Sequence, residues 1–303
     1  MQTSVFTLAF FLYCQSVFAS VEIDNPTSSI ASENQTLRVV YPKTMPNLDE
    51  DVLYPLILLR SALEQSGVKF TLTPSKHLLG QSRVLRQIEV GGEINVNWTM
   101  TTIEREQRLF PLRVPLFKGL YGWRLLLTTQ SQLKQLEQLR TLGDLKTVYL
   151  VQGQDWPDTK ILRDNGLVVS TSLDYTSLFN MLNKGRGQLF PRSILEVDIE
   201  KAMFENDMEL EVLPQLMLKY PSPIYFFFNK NNTDIADAVT KGINIMRENG
   251  EFDRLFYKYN GAAINNASIH TKTIIELENK DLPPLTPVDD ASLWLTIQTV
   301  NEK

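Results

Sequence analysis

Short apolar runs alternate along the first hundred residues with segments whose apolar positions recur at helical spacing. Leu37–Tyr41 (LRVVY), 68–72 and 94–100 are apolar runs of the kind that form buried strands. Between them, residues 49–66 and 81–90 carry apolar side chains three and four positions apart, which predicts amphipathic helices. Strands and helices that alternate in this order pair through crossover connections, so the pattern predicts a largely parallel sheet in an α/β fold.

The alternation continues to about residue 260, without an internal repeat. The predicted strands of this part are 147–151, 167–170, 188–190, 210–212 and 224–228. The predicted helices are 158–165, one capped by Ser172 and running to Lys184, 194–204, one from Thr233 to Asn249, and 252–259. Residues 281–303 begin with prolines and end with polar residues, so we expect a loosely held C-terminal tail.

The N-terminus has the pattern of an export signal. Residues 5–13 form an apolar run, and Ala19 offers a small residue at the cleavage position. We therefore expect a signal peptide over residues 1–19, cleaved near Ala19. The alternative is an N-terminal membrane anchor, for which the run is too short. The single cysteine, Cys14, lies inside this segment, so the mature chain is expected to have no thiol or disulfide chemistry.

Composition narrows the classes of function. The chain has 303 residues, 43% of them hydrophobic, which is enough for a substantial core. The net charge is −5 and no cluster of lysines and arginines occurs, so nucleic acid is not an expected partner. The two histidines, His77 and His270, lack the spacing of metal ligands, and no phosphate-binding glycine loop occurs. We therefore expect no metal and no cofactor.

Catalytic constellations are equally scarce. Two histidines and a cysteine within the predicted signal indicate neither a Ser-His-Asp nor a Cys-His arrangement. An acidic stretch from Glu196 to Glu211 holds carboxylates that acid-base chemistry could use, but a solvated helix and loop face explains it better. The sequence therefore favours a binding protein over an enzyme.

Polar segments follow predicted strands and precede predicted helices at three places. In an α/β fold this junction presents unpaired N–H groups, and polar ligands bind there. In the first segment, residues 98–105, Arg105 offers a planar, two-pronged donor suited to a carboxylate. The alternative is an ordinary surface arginine.

The other two segments are residues 152–158 and 185–193. In the former, Pro157 suits a first helical turn, and Trp156 is either a ligand platform or a core residue. In the latter, Arg192 stands between a strand and a helix and is either a ligand donor or a surface charge.

Taken together, these segments resemble the family 3 extracellular solute-binding proteins. Thr102-Ile103-Glu104-Arg105 is similar to that family's Thr-Pro-Glu-Arg element, and Arg113-Val114-Pro115-Leu116 to its Phe-Ser-x-Pro strand. Gly185-Arg186, followed by a strand, resembles its Gly-Arg-x-Asp-Ala segment, and residues 233–256 resemble its closing helix pair. The likeness covers residues 36–260, with the motifs in the family's order.

The resemblance implies a two-lobed, type II periplasmic binding fold, in which each lobe is a mostly parallel sheet flanked by helices. Lobe 1 would comprise residues 36–124 and 226–280, and lobe 2 residues 125–225, with crossings at 119–128 and 220–228. The ligand would lie in the cleft between the lobes. The residues expected to bind it are Tyr41, Trp98, Thr102, Arg105, Asp155, Trp156, Arg192 and Ser193.

Departures from the family pattern bear on the ligand. Trp98 stands where amino-acid-binding members usually have glycine, and Met100 stands where they have serine or threonine. Ser193 occupies the position of the aspartate that takes the ligand's ammonium group. The carboxylate-binding arginine is retained as Arg105, whereas the ammonium partner is not.

These departures leave two predictions for the ligand's charge. If Arg105 and Arg192 both face the cleft, two guanidinium groups favour a mono- or dicarboxylate, or an acidic aromatic solute. The alternative is that Asp155 or Glu196 supplies the missing negative charge from a shifted position, which restores amino-acid binding.

We therefore predict a periplasmic solute-binding protein that captures a small organic anion or an amino-acid-like solute. It would be a monomer without catalytic activity that passes its ligand to an inner-membrane ABC permease or to a sensor. One alternative is an enzyme on the same fold, of the dehydratase or cell-wall glycan lyase type, because fold alone does not decide function. Another is an orphan sensory or scaffold protein with a degenerate cleft.

Overall fold

The computed structural model describes residues 36–44, 50 and 53–296, and these form a mixed α/β structure. The predicted signal peptide, residues 1–19, the segment after it and the final residues 297–303 lie outside the described residues. Within the described ranges, no helix has both the length and the apolar content that crossing a membrane requires.

Strands and helices alternate along the described chain. The strands are β1 (Leu37–Tyr41), β2 (Phe70–Pro74), β3 (Val96–Met100), β4 (Phe110–Leu112), β5 (Trp123–Thr129), β6 (Tyr149–Gly153), β7 (Val168–Ser172), β8 (Phe190–Ser193), β9 (Leu210–Lys219), β10 (Ile224–Phe228) and β11 (Thr273–Glu276). The helices are α1 (Tyr54–Ser66), α2 (Gln81–Glu89), α3 (Ile103–Arg108), α4 (Gln130–Leu136), α5 (Leu142–Leu145), α6 (Pro157–Asp164), α7 (Tyr175–Asn183), α8 (Val197–Met203), α9 (Asp234–Glu248) and α10 (Glu251–Asn266).

Lobe 1 is built on two small sheets. β1 pairs with β2 in parallel, and β10 lies antiparallel between β3 and β4. β10 is apolar at every position because both of its faces are covered. Phe226 and Phe228 belong to the main core, whereas Tyr225 and Phe227 belong to a second cluster beneath α2.

The helical layer of lobe 1 depends on a close approach between α1 and α9. A Cβ at Gly242 of α9 would come within 1.8 Å of the Ala62 carbonyl oxygen of α1. Only glycine allows the two backbones to lie this close. At its start, α1 has Pro55 in the first turn, where the missing N–H breaks no helical hydrogen bond.

Lobe 2 combines a four-stranded sheet, in the order β11-β9-β5-β8, with the parallel pair β6–β7. A bridge between Leu150 and Leu189 joins them. β9 spans ten residues rather than the three predicted, because Pro214 and Gln215 interrupt its apolar pattern without ending the strand. Helix α7 is capped by Asp174, whose carboxylate accepts a backbone N–H at 2.7 Å, and not by Ser172.

Helices flank the sheets in both lobes, as predicted, but the strand pairing is mixed rather than mostly parallel. The pairs β1–β2, β6–β7 and β9–β11 are parallel, whereas β10 and β5 pair antiparallel with their neighbours. The path of the chain is the reason. β5 carries it into lobe 2, and β9 followed by β10 carries it back, so these strands run in opposite directions.

The two crossings between the lobes lie against each other at Gly122 and Tyr220. The Tyr220 N–H donates to the Gly122 carbonyl at 3.1 Å, and Trp123 pairs with Lys219. A Cβ at Gly122 would come within 1.8 Å of the Tyr220 carbonyl oxygen, so this backbone contact requires glycine. The two crossings are therefore hydrogen-bonded to each other as adjacent strands and are not two independent connections.

The segment after α10 departs furthest from the predicted domains. β11 adds to lobe 2 beside β9, so residues 226–280 do not all belong to lobe 1. The expected loose tail is packed as far as residue 296, since Leu293 and Leu295 are buried. The Trp294 indole N–H also donates to the Pro287 carbonyl at 2.8 Å. Proline and polar residues suggested a loose tail, but these few apolar side chains hold the segment against lobe 1.

Candidate functional site

Arg105 lies in the first turn of α3, directly after β3. The Thr102 hydroxyl caps this helix and accepts the Arg105 N–H at 3.1 Å. The guanidinium Nη1 donates to the Thr99 hydroxyl at 2.9 Å and to the Met100 carbonyl at 2.7 Å. Its Nη2 donates to the amide oxygen of Gln81 on α2 at 2.5 Å. The side chain is thus held in place by neutral acceptors.

The charge of Arg105 is buried without an ion-pair partner among the described residues. Only 9% of its surface is exposed, and its hydrogen bonds go to a hydroxyl, a carbonyl and an amide. Burial lowers the pKa of Arg105 to about 10, and the negative potential of Asp155 and Asp158 offsets part of this effect. The guanidinium stays cationic at neutral pH and is suited to a carboxylate.

Asp155 lies on the lobe 2 side of the same region, in the loop between β6 and α6. The hydroxyl of Ser82, on α2 of lobe 1, donates to Asp155 Oδ2 at 3.0 Å. Ser82 follows Gln81, which holds Arg105, so the lobes touch directly beside the buried guanidinium. Among the surrounding charges, Asp155 does most to favour the cationic form of Arg105. The structure therefore brings these two predicted site residues together from opposite lobes.

Trp156 packs on lobe 2 as the residue that precedes α6. Its ring stacks on Phe190, with centroids 6.5 Å apart, and lies 4.9 Å from the Arg192 guanidinium carbon. Gly153 leaves room for it, because a Cβ there would come within 2.3 Å of the indole. Trp156 is half-buried, so it supports lobe 2 and still presents part of its ring to the surface.

Arg192 is buried at β8 and paired with two carboxylates. Its Nε donates to both oxygens of Glu200, at 2.7 and 3.0 Å, and its Nη2 donates to Glu196 Oε1 at 2.8 Å. Burial disfavours the charge, but the two carboxylates outweigh it, so the pKa of Arg192 lies well above its ordinary value. The predicted pair of anion-binding guanidinium groups is therefore not present, because Arg192 is neutralised within lobe 2.

Ser193 is fully buried, and its contacts show where Glu196 lies. The Ser193 hydroxyl donates to the Leu120 carbonyl at 3.2 Å. Its backbone N–H donates to Glu196 Oε2 at 3.0 Å. A carboxylate, that of Glu196, therefore lies against the backbone of the position where the family pattern has an aspartate.

Tyr41 and Trp98, the remaining predicted site residues, lie on two strands of lobe 1: Tyr41 ends β1 and Trp98 is the middle residue of β3. The Tyr41 hydroxyl donates to Glu50 Oε2 at 2.5 Å, and Thr44 donates to the other oxygen of that carboxylate at 2.9 Å. Trp98 is half-buried on β3, opposite Phe226 of β10. Neither residue contacts the Arg105 side chain through a hydrogen bond.

Sequence reasoning missed the ion cluster of lobe 2, which contains Arg124, Asp158, Arg192, Glu196 and Glu200. Arg124 Nη2 and the Tyr220 hydroxyl both donate to Asp158 Oδ1 at 2.5 Å, and Arg124 Nη1 reaches Glu196 at 3.4 Å. Two guanidinium groups therefore face three carboxylates, which leaves one negative charge in excess. A sequence signal for part of it exists, because Glu196 and Glu200 are four residues apart at the start of a predicted helix and therefore share a face.

Two cavities lie away from Arg105. One of about 360 Å³ is lined by Lys118, Arg247, Phe252 and Asp253. One of about 190 Å³ lies between lobe 2, at Ile194 and Val212, and the end of α10, at Ala263. The described residues contain no group of three or more histidine, cysteine, aspartate or glutamate side chains that could hold a metal ion.

Two α/β lobes, joined by adjacent crossing strands, meet at a site with an arginine on one side and carboxylates on the other. This arrangement is the two-lobed type II periplasmic binding protein fold. The structure is similar to an ancestral arginine-binding protein bound to arginine, with a TM-score of 0.55 and 18% identity over 75% of this chain and 99% of that one.

Two further solved structures agree with this fold. A Salmonella typhimurium periplasmic binding protein with high arginine specificity has a TM-score of 0.55 at 12% identity, over 74% of this chain and 99% of that one. An ancestral amino-acid-binding protein, a precursor of cyclohexadienyl dehydratase, has a TM-score of 0.51 at 15% identity, over 74% and 94%. No protein-family model and no curated protein matches the chain. The resemblance to family 3 solute-binding proteins is thus confirmed at the level of the fold.

Proposed function

We propose that the protein binds a small zwitterionic, amino-acid-like solute whose carboxylate lies on Arg105. The contrast among the buried arginines of the described residues carries this proposal. Arg124 and Arg192 both form ion pairs, whereas the partners of Arg105 are all neutral. A ligand carboxylate would complete the charge pair at Arg105 without breaking an existing one.

The excess negative charge of lobe 2 supports a cationic group at the other end of the ligand. Glu196 is the most exposed carboxylate of the ion cluster, at 22% of its side chain, compared with 6% for Asp158 and 3% for Glu200. Asp155 adds a further carboxylate at the lobe contact. An ammonium group is attracted to this side, whereas a second carboxylate would be repelled. We therefore favour an amino acid as the ligand. A dicarboxylate would be favoured only if two guanidinium groups were free of ion pairs.

Similarity to known proteins supports the same class of ligand and the same location. The similar structures include arginine-binding proteins and a periplasmic protein. Together with the apolar residues 5–13, they support export to the periplasm. There the protein would act as a monomer and deliver its solute to an inner-membrane ABC permease or to a sensor.

Titration calorimetry and thermal shift on the mature protein test the proposal. The panel contains L-amino acids, dicarboxylates and monocarboxylates. An amino acid at about 100 times its Kd should stabilise the protein by about 2.7 kcal/mol. At about 2 °C per kcal/mol for a chain of this size, the melting temperature should rise by about 5 °C. Recovery of the unchanged ligand distinguishes binding from turnover.

Arg105→Ala is the decisive variant, with Arg83→Ala as its matched control. We expect the loss of Arg105 to weaken binding by about 2–5 kcal/mol, as for other buried charge pairs that lose one partner. Arg83 is an exposed arginine on α2 in the same lobe, so its removal should leave the affinity unchanged. A dicarboxylate that binds more tightly than any amino acid, or binding that survives Arg105→Ala, would contradict the proposal.

A further inference from the structure

The C-terminal strap, defined as residues 267–296, leaves lobe 1 at the end of α10 and enters lobe 2. Asn266, the last residue of α10, donates to the carboxylate of Asp198 on α8 at 3.0 Å. The Lys272 ammonium donates to the Pro214 carbonyl at 2.9 Å, and β11 then pairs with β9 in parallel. The first part of the strap is therefore an integral part of lobe 2.

Glu278 and Asp281 hold the strap to opposite lobes. The Asn165 side chain, at the end of α6 in lobe 2, donates to the Glu278 carbonyl at 2.8 Å and accepts the Glu278 N–H at 3.1 Å. Three residues later, the Asp281 carbonyl accepts the Ile103 N–H of α3 in lobe 1, at 3.3 Å. One short stretch of chain thus spans the two lobes.

Residues 278–281 can lengthen only slightly between their two attachments. Three residue steps reach at most about 11 Å, and a turn at residues 280–281 shortens the stretch further. The Asn279 side chain also fixes its middle by donating to the Pro221 carbonyl, next to the second crossing, at 2.8 Å. A rotation that moves α6 away from α3 must therefore break the bonds at Asn165 or at Ile103.

The far end of the strap is anchored to lobe 1 and supplies no extra length. The Lys118 ammonium donates to the Ser292 carbonyl at 2.9 Å, and the Leu295 N–H donates to the Lys118 carbonyl at 3.0 Å. The Trp294 ring lies on Gly119 of the first crossing, where a Cβ would come within 2.5 Å of it. Residues 118–119 adopt left-handed backbone angles, which Gly119 allows without strain.

We propose that the C-terminal strap is a third connection between the lobes, which holds the cleft closed until it is released at Glu278 or Asp281. Its attachment on lobe 1 is the first turn of α3, which also carries Arg105, so the strap borders the ligand site. Asp281 adds negative potential at Arg105 and, on lobe 2, at Lys160. This inference goes beyond the proposed function, because it depends on the two lobes and not on the ligand.

Distances between spin labels test the strap without any ligand. One label at Glu64→Cys on α1 reports on lobe 1 and one at Asn180→Cys on α7 reports on lobe 2, in the full chain with Cys14→Ser. Ile103→Pro removes the N–H that Asp281 accepts, at a first helical position where proline is tolerated. Ile103→Ala keeps that N–H and is the matched control.

Asn165→Ala tests the other attachment, because it removes both bonds to Glu278. Its control is Asn249→Ala, because Asn249 follows α9 as Asn165 follows α6. The Asn249 side chain accepts the Glu251 N–H at 3.0 Å and forms no hydrogen bond with the strap residues that the structure describes. Each lost strap bond should weaken the closed state about two- to tenfold. We expect one narrow distance in the unsubstituted chain and in both controls. Ile103→Pro and Asn165→Ala should shift the mean by more than about 2 Å or add a longer population.

Unchanged distances in both Ile103→Pro and Asn165→Ala would overturn the proposal. Open and closed populations of comparable size in the unsubstituted chain would also overturn it, because the strap would then not limit opening. Circular dichroism melts accompany each variant. If one substitution prevents folding, the distance distribution of the other decides the question.

Discussion

Asp158→Ala should destabilise the protein through the charge that it leaves behind. Asp158 accepts hydrogen bonds at 2.5 Å from both Arg124 and Tyr220, and the Arg124 and Asp158 side chains are only 3% and 6% exposed. Removing one partner of a buried pair costs about 3–5 kcal/mol, since the other charge stays buried. Glu196, 3.4 Å from Arg124, retains part of the compensation, so we expect a value near the lower end. At about 2 °C per kcal/mol, the melting temperature should fall by about 6 °C.

Three variants distinguish the contribution of the ion pair to the free energy of unfolding from that of the Tyr220 hydrogen bond. They are Asp158→Ala, Tyr220→Phe and the double variant described below, each measured by urea and thermal unfolding. Tyr220→Phe keeps the ion pair and should cost only about 1 kcal/mol. Combining Asp158→Leu with Arg124→Met removes both charges and should recover most of the loss, because apolar replacement of a buried pair is close to neutral. A loss below about 1 kcal/mol for Asp158→Ala, the scale of an exposed pair, would refute this reasoning.

Two further predictions concern packing and pH. Gly242→Ala should destabilise the protein by about 1–3 kcal/mol, because its Cβ would meet the Ala62 carbonyl. Gly261→Ala in α10 is the control, because a Cβ there meets nothing within 4 Å. This variant should stabilise the protein by about 0.5–1 kcal/mol. Equal melting curves for Gly242→Ala and Gly261→Ala would contradict the close contact between α1 and α9. Hydrogen bonds from Arg108 and a second arginine lower the pKa of Glu89 to about 2. Since the unfolded value is about 4.3, this stabilisation is present above that pH and is lost as the pH falls towards 2. In Glu89→Gln, the melting temperature should therefore fall less steeply with pH between about 4.3 and 2. An unchanged pH dependence of the melting temperature would contradict this prediction.

Local patterns predict the part of the candidate site that local structure determines. Thr102 and Arg105 could be located because a buried strand, a capping hydroxyl and a helical turn follow one another within a few residues. Asp155 could be located for the same reason, since it precedes the first turn of α6. Their meeting across the lobes could not be predicted, because Ser82 and Asp155 are 73 residues apart and no local spacing relates them.

Arg192 shows how a strand and helix pattern can locate a residue without indicating its partners. The pattern predicts its place between a strand and a helix, but it predicts a solvated acidic face for Glu196 and Glu200, which the structure pairs with Arg192. Their four-residue spacing predicts one shared face, which is buried because Trp156 and Phe190 cover the guanidinium. Charge alone therefore does not distinguish a solvated helix face from a buried ion pair.

Elements that depend on tertiary contacts were the least predictable. β11 is half exposed and too short for a period-two pattern to identify, and it exists because β9 offers an open edge. α10 continues to Asn266, beyond the predicted end at Tyr259, because Gly261 lies on an open side of the helix and does not end it. For β11, a long-range neighbour thus outweighs the local propensity.

The contact between Gly122 and Tyr220 has a mechanical consequence for the whole molecule. Because the two crossings are bonded backbone to backbone, a torsional change in one is transmitted to the other, and the lobes share a single axis of rotation. The side chain at residue 122 then sets the spacing of the two strands at that axis. We expect a methyl group there to change the resting angle between the lobes, and with it the width of the cleft, without touching any atom that faces a ligand.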